Sequence, residues 1–164
     1  GILFSGKLLV YSGLLDGKEV SWLPSYGPEM RGGTCNCSVV ISDESIGSPL
    51  VTAPDVLIAM NLPSLDKFED SVVPGGTILL DSSLIDRKVT RQDVKVCYVD
   101  ASRLAEENNM KGSANIILVG KMFKELGFCT EESLYKAVDK CVPPKKAALI
   151  EVNKNALKLG YSVE

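Results

Sequence analysis

The sequence predicts an α/β protein with a mostly parallel central sheet flanked by helices and a helical C-terminal third. Three observations carry this. Short apolar runs at 55–60, 77–80 and 95–99 have the length of buried strands and lead into turn or helix-opening residues. Helical patterns are interleaved with these runs, and strands joined through helical crossovers lie parallel. From residue 113 onward, three amphipathic stretches follow one another with no strand pattern between them. At 164 residues, 45% hydrophobic and 24% charged, the chain reads as a single domain over 1–164, long enough to bury one good core.

Ile2 to Leu15 reads as a helix, with Leu3, Lys7, Val10 and Leu14 marking successive turns and Gly17 standing where it ends. Glycines at 1, 6 and 13 weaken it but allow another backbone or a ligand to come close. The opening Gly1 to Lys7 reads as the middle of an element, so a preceding segment is expected. If that segment is a strand, the helix starts at a glycine-rich turn of the kind that binds phosphate, with Lys7 in reach of an anion. A solvated lysine on a packing helix satisfies the same residues.

Glu19 to Leu23 is a short strand. Thr34 to Asp43 then alternates, with Cys35, Cys37, Val39 and Ile41 on one side, so it is a half-buried strand. After the apolar run at 55–60, Pro63 and Ser64 open a helix to about Glu69. Pro74-Gly75-Gly76 turns the chain into the strand at 77–80, and the strand at 95–99 leads to a helix over 101–107. Ligands in such sheets sit beyond the carboxyl ends of the strands, which groups Ser25-Tyr26, Asn61 and Asp81-Ser82-Ser83 by topology. In the last third, Ile116, Val119, Phe123 and Leu126 form one stripe, stopped by Gly127. Thr130 caps the next helix, with Leu134, Ala137, Val138 and Cys141 inward. A final helix over 145–159 turns Leu149, Val152, Ala156 and Leu159 inward and ends at Gly160. Asn115 either caps its helix or faces a cleft at that helix's N-terminal end.

The most chemically loaded stretch is Ser25 to Gly33. Glycines at 27, 32 and 33 and Pro28 make it a turn, yet it carries Tyr26, Glu29 and Arg31. A solvated ion pair on a turn and a contact loop are both compatible with those residues.

Charge and composition exclude several classes. A net charge of −3 leaves no footprint for nucleic acid, and no basic helix addresses a membrane surface. No apolar run reaches membrane-spanning length, and no signal peptide opens the chain. Five cysteines, an odd number without a closely spaced framework, point to a reducing cytoplasmic setting. Cys35 and Cys37 share a strand face but lack the second pair that a zinc or cluster site needs, so no metal ligand is expected. The chain has no histidine, and its polar groups contain no nucleophile–base pair, so no catalytic residue is expected.

The run Gly17-Lys18-Glu19-Val20-Ser21-Trp22-Leu23-Pro24-Ser25-Tyr26-Gly27-Pro28-Glu29-Met30-Arg31-Gly32-Gly33-Thr34 resembles the gamma subunit of 2-oxoacid:ferredoxin (acceptor) oxidoreductases. The likeness continues in order through Val40-Ile41-Ser42-Asp43, Pro54 to Asn61, Pro63 to Phe68 and Pro74-Gly75-Gly76, and takes in the closing helices. The family has a first strand and a glycine-rich turn before the position of Gly1, and neither is in this sequence.

The resemblance implies a non-autonomous enzyme subunit. Its alpha and beta partners bind thiamine diphosphate and magnesium, and electrons leave through iron–sulfur clusters on partner subunits, a ferredoxin-like delta subunit among them, to ferredoxin. The product is an acyl-CoA, and the gamma subunit is associated with coenzyme A binding and active-site closure. Carried onto this chain, the coenzyme A contacts are Gly1, Ser5, Gly6, Lys7 and Asn115. Ser25, Tyr26, Gly27, Glu29, Arg31, Gly32 and Gly33 form a loop against the thiamine-bearing subunits, with Glu29 and Arg31 positioning and docking it. The wording of that loop orders the substrates as 2-oxoglutarate, branched-chain 2-oxoacids, then pyruvate. From another class, a free-standing α/β nucleotide-binding or regulatory module would use the same glycines.

Overall fold

A computed structural model describes residues 2–26 and 35–164. Its centre is a parallel sheet of three strands, β3 (Val56–Ala59), β4 (Thr77–Asp81) and β5 (Lys95–Val99), in the order β3-β4-β5. Leu79 stands level with Ile58 and Cys97, and Leu80 with Ala59 and Tyr98. Every residue of β4 is buried because both faces are covered. Leu79 faces the larger core with Val99, Ile117 and Leu118, while Ile78 and Leu80 face a smaller one with Leu65, Val72 and Ile85. This two-sided burial is why 77–80 reads as an unbroken apolar run.

The other two strands stand apart from this sheet. β1 (Glu19–Tyr26) and β2 (Cys35–Ser42) form an antiparallel pair in which Trp22 lies opposite Val39 and Ser25 opposite Asn36. Ser25 and Tyr26 therefore do not join Asn61 and Asp81 at the edge of one sheet, which corrects the grouping expected from topology. β1 is also longer than the predicted 19–23, because the antiparallel ladder with β2 continues to Tyr26.

Helix α1 (Ile2–Leu15) packs on the hairpin through its smallest residues. A Cβ at Gly6 would come within 2.5 Å of Cys37 Sγ and 2.9 Å of Trp22 Nε1, and one at Gly13 within 2.9 Å of Val20 Cγ1. The helix spans the predicted 2–15, and its buried positions are Ser5, Gly6, Leu8, Leu9, Ser12 and Gly13. Apolar residues surround this helix on all sides, so periodicity alone did not mark the inward face. The small residues do, because they admit the neighbouring strands.

Helices α2 (Leu62–Phe68) and α3 (Ala101–Glu107) follow β3 and β5. Asn61 is the N-cap of α2, accepting from Ser64 N at 2.9 Å, with Pro63 in the first turn. Helix α4 (Ala114–Leu126) is the central helix of the last third, buried without interruption from Asn115 to Met122. Leu126, the last residue of the helix, is exposed rather than inward.

Helix α5 (Glu131–Cys141) has the predicted cap, Thr130 accepting from Ser133 N at 3.2 Å, and the predicted inward stripe Leu134, Ala137, Val138 and Cys141. It also receives Asp16, from just past the end of α1. That carboxylate accepts from Thr130 N at 2.7 Å and Thr130 Oγ1 at 2.8 Å, and also from Ser133 Oγ. Burial would raise the Asp16 pKa, but these hydrogen bonds outweigh it and hold the group below its ordinary value.

Helix α6 (Ala148–Ser162) crosses α4 so closely that a Cβ on Gly160 would overlap Ile117 O, and one on Gly120 would overlap Leu157 O. That crossing rotates the helix. Asn153, Ala156, Leu157 and Gly160 face inward, whereas Leu149 is exposed and Gly160 lies within the helix instead of ending it. Among the described residues, no helix is long and apolar enough to cross a membrane.

Candidate functional site

The N-terminal turns of α1 and α4 meet beside the carboxyl end of the parallel sheet. Asn115, in the first turn of α4, donates through Nδ2 to Ser5 Oγ at 3.0 Å, and both residues are buried. Asn115 is not the cap of α4, a position held by Ser113 without a side-chain bond. Of its two expected roles, the structure shows the one facing a cleft.

That cleft has a volume of about 420 Å³. Its walls come from four places: Ile2 at the start of α1, Met60 after β3, Ser102 and Glu106 on α3, and Lys111, Gly112, Ala114 and Asn115 at the entry to α4. The strand ends position it, as they do in open α/β sheets. Asp81, fully buried at the end of β4, accepts from Ser102 N at 3.3 Å and Ser102 Oγ at 2.5 Å, which fixes the first turn of α3. Ser82 Oγ donates to Asp100 Oδ1 at 2.5 Å, and a guanidinium nitrogen of Arg103 donates to Asp100 Oδ2 at 2.8 Å. These bonds to Ser82 and Arg103 hold the Asp100 carboxyl below its usual pKa. The polar residues after β4 thus brace the cleft wall, and Asn61 is committed to capping α2.

The expected site residues are distributed unevenly. Ser5 and Asn115 come together; Gly6 is buried next to Ser5 but touches the hairpin. Lys7 is exposed on α1 and does not line the cleft. Its charge reaches Cys141 at the end of α5, where burial pushes the thiol up to about 11 and Lys7 opposes the rise. Ser25 is exposed in β1 and is not part of the cleft wall. Gly1, Gly27, Glu29, Arg31, Gly32 and Gly33 lie outside the described residues, as does the side chain of Tyr26.

Sequence reading missed Ser102, Glu106 and Lys111. A signal for Lys111 was available: a lysine and a glycine immediately precede the helix start, where free backbone N–H groups favour an anion.

The thiols are dispersed. Cys97 and Cys141 are buried, Cys37 and Cys129 half-buried, and Cys35 exposed. Among the described residues, no three His, Cys, Asp or Glu side chains converge in a metal-binding group.

Comparison with known proteins gives a consistent match. The family described as "Pyruvate ferredoxin/flavodoxin oxidoreductase" matches residues 1–163. Ketoisovalerate oxidoreductase subunit VorA of Methanothermobacter thermautotrophicus is 40% identical over 162 residues, covering 98% of this chain and 33% of its own length. The chain thus spans about a third of that relative. The 2-oxoglutarate synthase subunit KorC of Methanocaldococcus jannaschii is 36% identical over 166 residues, covering 99% of this chain and 87% of its own.

Among solved structures, the gamma subunit of a keto/oxoacid ferredoxin oxidoreductase from Geobacter sulfurreducens PCA superposes with a TM-score of 0.79 at 30% identity, covering 98% of this chain and 88% of that one. A 2-oxoglutarate:ferredoxin oxidoreductase from Magnetococcus marinus, with 2-oxoglutarate, coenzyme A and succinyl-CoA bound, shares the fold at a TM-score of 0.83 and 20% identity, covering 96% of this chain and 28% of that one.

Proposed function

The chain belongs to the pyruvate ferredoxin/flavodoxin oxidoreductase family, and on that premise we propose that it works as the gamma-type subunit of a 2-oxoacid:ferredoxin oxidoreductase, contributing to coenzyme A binding and active-site closure. The observation that carries the proposal is the match along nearly its whole length to a solved gamma subunit and to KorC. The reaction is the oxidative decarboxylation of a 2-oxoacid to an acyl-CoA. Thiamine diphosphate, magnesium and the iron–sulfur clusters are assigned to alpha, beta and ferredoxin-like partner subunits, with ferredoxin as acceptor and the cytoplasm as setting.

The cleft between α1 and α4 is where this chain would take part of coenzyme A. Its polar lining groups, Ser102 and Asn115, can hydrogen-bond a nucleotide, while Met60, Ala105 and Ala114 offer apolar walls. The bond from Asn115 to Ser5 fixes the two helix starts before a ligand arrives, which lowers the ordering cost of binding. The loop from Ser25 through Gly33 is proposed to lie against the thiamine-bearing subunits, with Arg31 docking it and Glu29 positioning it.

For substrate, 2-oxoglutarate is the first to assay and 2-oxoisovalerate the second. The relatives include subunits named for each. Titration calorimetry of coenzyme A into the assembled complex tests the cleft. Asn115→Ala should weaken binding about tenfold, as expected for loss of a polar contact in a formed site. Unchanged affinity would remove Asn115 from the coenzyme A contacts.

A further inference from the structure

The cleft carries a charge pattern that Ser5 and Asn115 do not supply. Glu106 and Lys111, both exposed, stand on its wall, one from the last turn of α3 and the other from the connection into α4. Arg87, Arg91 and Arg103 are each held by carboxylates. Lys111 forms no ion pair among the described residues. Its ammonium is the one cation lining the cleft among those residues.

The backbone under Lys111 is fixed, while its side chain is tied to no carboxylate among the described residues. Asn109 and Gly112 bracket it with φ of 57° and 90°. Met110 N donates to Ala105 O at 2.7 Å, and Ser113 N donates to Met110 O at 2.9 Å. A four-carbon stem on an anchored Cα lets the ammonium sweep the cleft mouth without moving the walls. Lys7 projects from another face of α1, away from these lining residues.

We propose, resting on the reading of this cleft as a coenzyme A site, that Lys111 is the residue that contacts a phosphate group of coenzyme A. An ammonium meets phosphate as a point charge and needs no fixed fork geometry, which suits an exposed cleft mouth. Glu106 shapes the choice of ligand from the same wall. Its carboxylate repels a compact polyanion that would fill the cleft, but accepts a hydrogen bond from an amino or hydroxyl group on a longer molecule whose phosphate lies at Lys111. The cleft therefore fits a phosphorylated nucleotide with donor groups away from its phosphates better than free inorganic phosphate or diphosphate.

The test is steady-state kinetics on the reconstituted complex with varied coenzyme A, for Lys111→Ala, Lys111→Arg, Lys7→Ala and Asn115→Ala. Lys111→Ala should raise the KM for coenzyme A about tenfold or more, leave kcat and the 2-oxoacid KM within about twofold, and flatten the loss of coenzyme A affinity with added salt. Lys111→Arg, which keeps the charge, should recover most of the affinity.

A KM for Lys111→Ala within about twofold of the parent, or a larger rise for Lys7→Ala than for Lys111→Ala, overturns the assignment. If Asn115→Ala still raises the KM in that case, the cleft reading stands and Lys111 alone is wrong. If neither Asn115→Ala nor Lys111→Ala changes it, the cleft reading falls as well.

Discussion

Asn115 Nδ2 donates to Ser5 Oγ across 3.0 Å, joining the first turn of α4 to the first turn of α1 through residues 110 positions apart in the chain. Both are at most 6% exposed, so the bond is made where water cannot substitute for either partner. Asn115→Ala removes this bond and is expected to cost about 0.5–1.5 kcal/mol of stability, the net worth of one hydrogen bond. A fall in the urea midpoint at constant m-value checks it.

The crossing of α4 and α6 depends on the absence of a side chain at Gly160, where a Cβ would overlap Ile117 O. Backbone cannot yield as a side chain can. Gly160→Ala should destabilise by about 3 kcal/mol, at the upper end for overpacking, whereas Gly47→Ala, with open space around it, should be nearly neutral. Thermal melts of the two variants compare them directly.

Glu125 reports on acid stability. Hydrogen bonds from Lys121 and Lys95 pull its pKa from 4.5 down to about 2. Because the folded value lies below the unfolded one, the stability it contributes is present above about pH 4.5 and is lost as the pH falls toward 2. Glu125→Gln should flatten the stability profile across that window. It should also lower stability at neutral pH, because among the described residues the buried Lys121 then keeps only its 2.9 Å bond to Val163 O. Chemical denaturation at stepped pH checks both effects.

Arg31 is expected to act in docking. Arg31→Ala should weaken association with the alpha and beta subunits, or reduce turnover, while leaving the far-UV circular dichroism of the chain unchanged. A loss of folding with no selective loss of association would make Arg31 a structural residue.

Much of the fold was legible because local signals agreed with burial. Thr130 was read as a cap and is one; Leu134, Ala137, Val138 and Cys141 form an inward stripe because α5 has a clear polar side. The unbroken apolar run at 77–80 indicated a strand covered on both faces, as β4 is. The face of α1 and the rotation of α6 were not legible. In both helices close approach at glycine sets the contact, at Gly6 and Gly13 in one and Gly160 in the other, and hydrophobic periodicity does not weigh a residue with no side chain.

The candidate site was legible in part. Asn115 stood out as a polar residue at a helix start, and Ser5 followed from the family likeness. Ser102, Glu106 and Lys111 join them only because β3, β5 and two helix starts end in the same place. That convergence is a property of the topology, and no local run of residues encodes it. Ser25 was grouped with the sheet edge on the assumption of one sheet, whereas the antiparallel ladder places it in a separate hairpin.

The most direct test of the gamma-subunit reading is reconstitution of the native oxidoreductase with and without this chain, followed by coenzyme A-dependent reduction of ferredoxin with a 2-oxoacid. The account predicts that the tagged chain copurifies with thiamine-dependent alpha and beta subunits, and that turnover requires its presence. Full coenzyme A-dependent turnover in its absence, or copurification without any such partner, would contradict it.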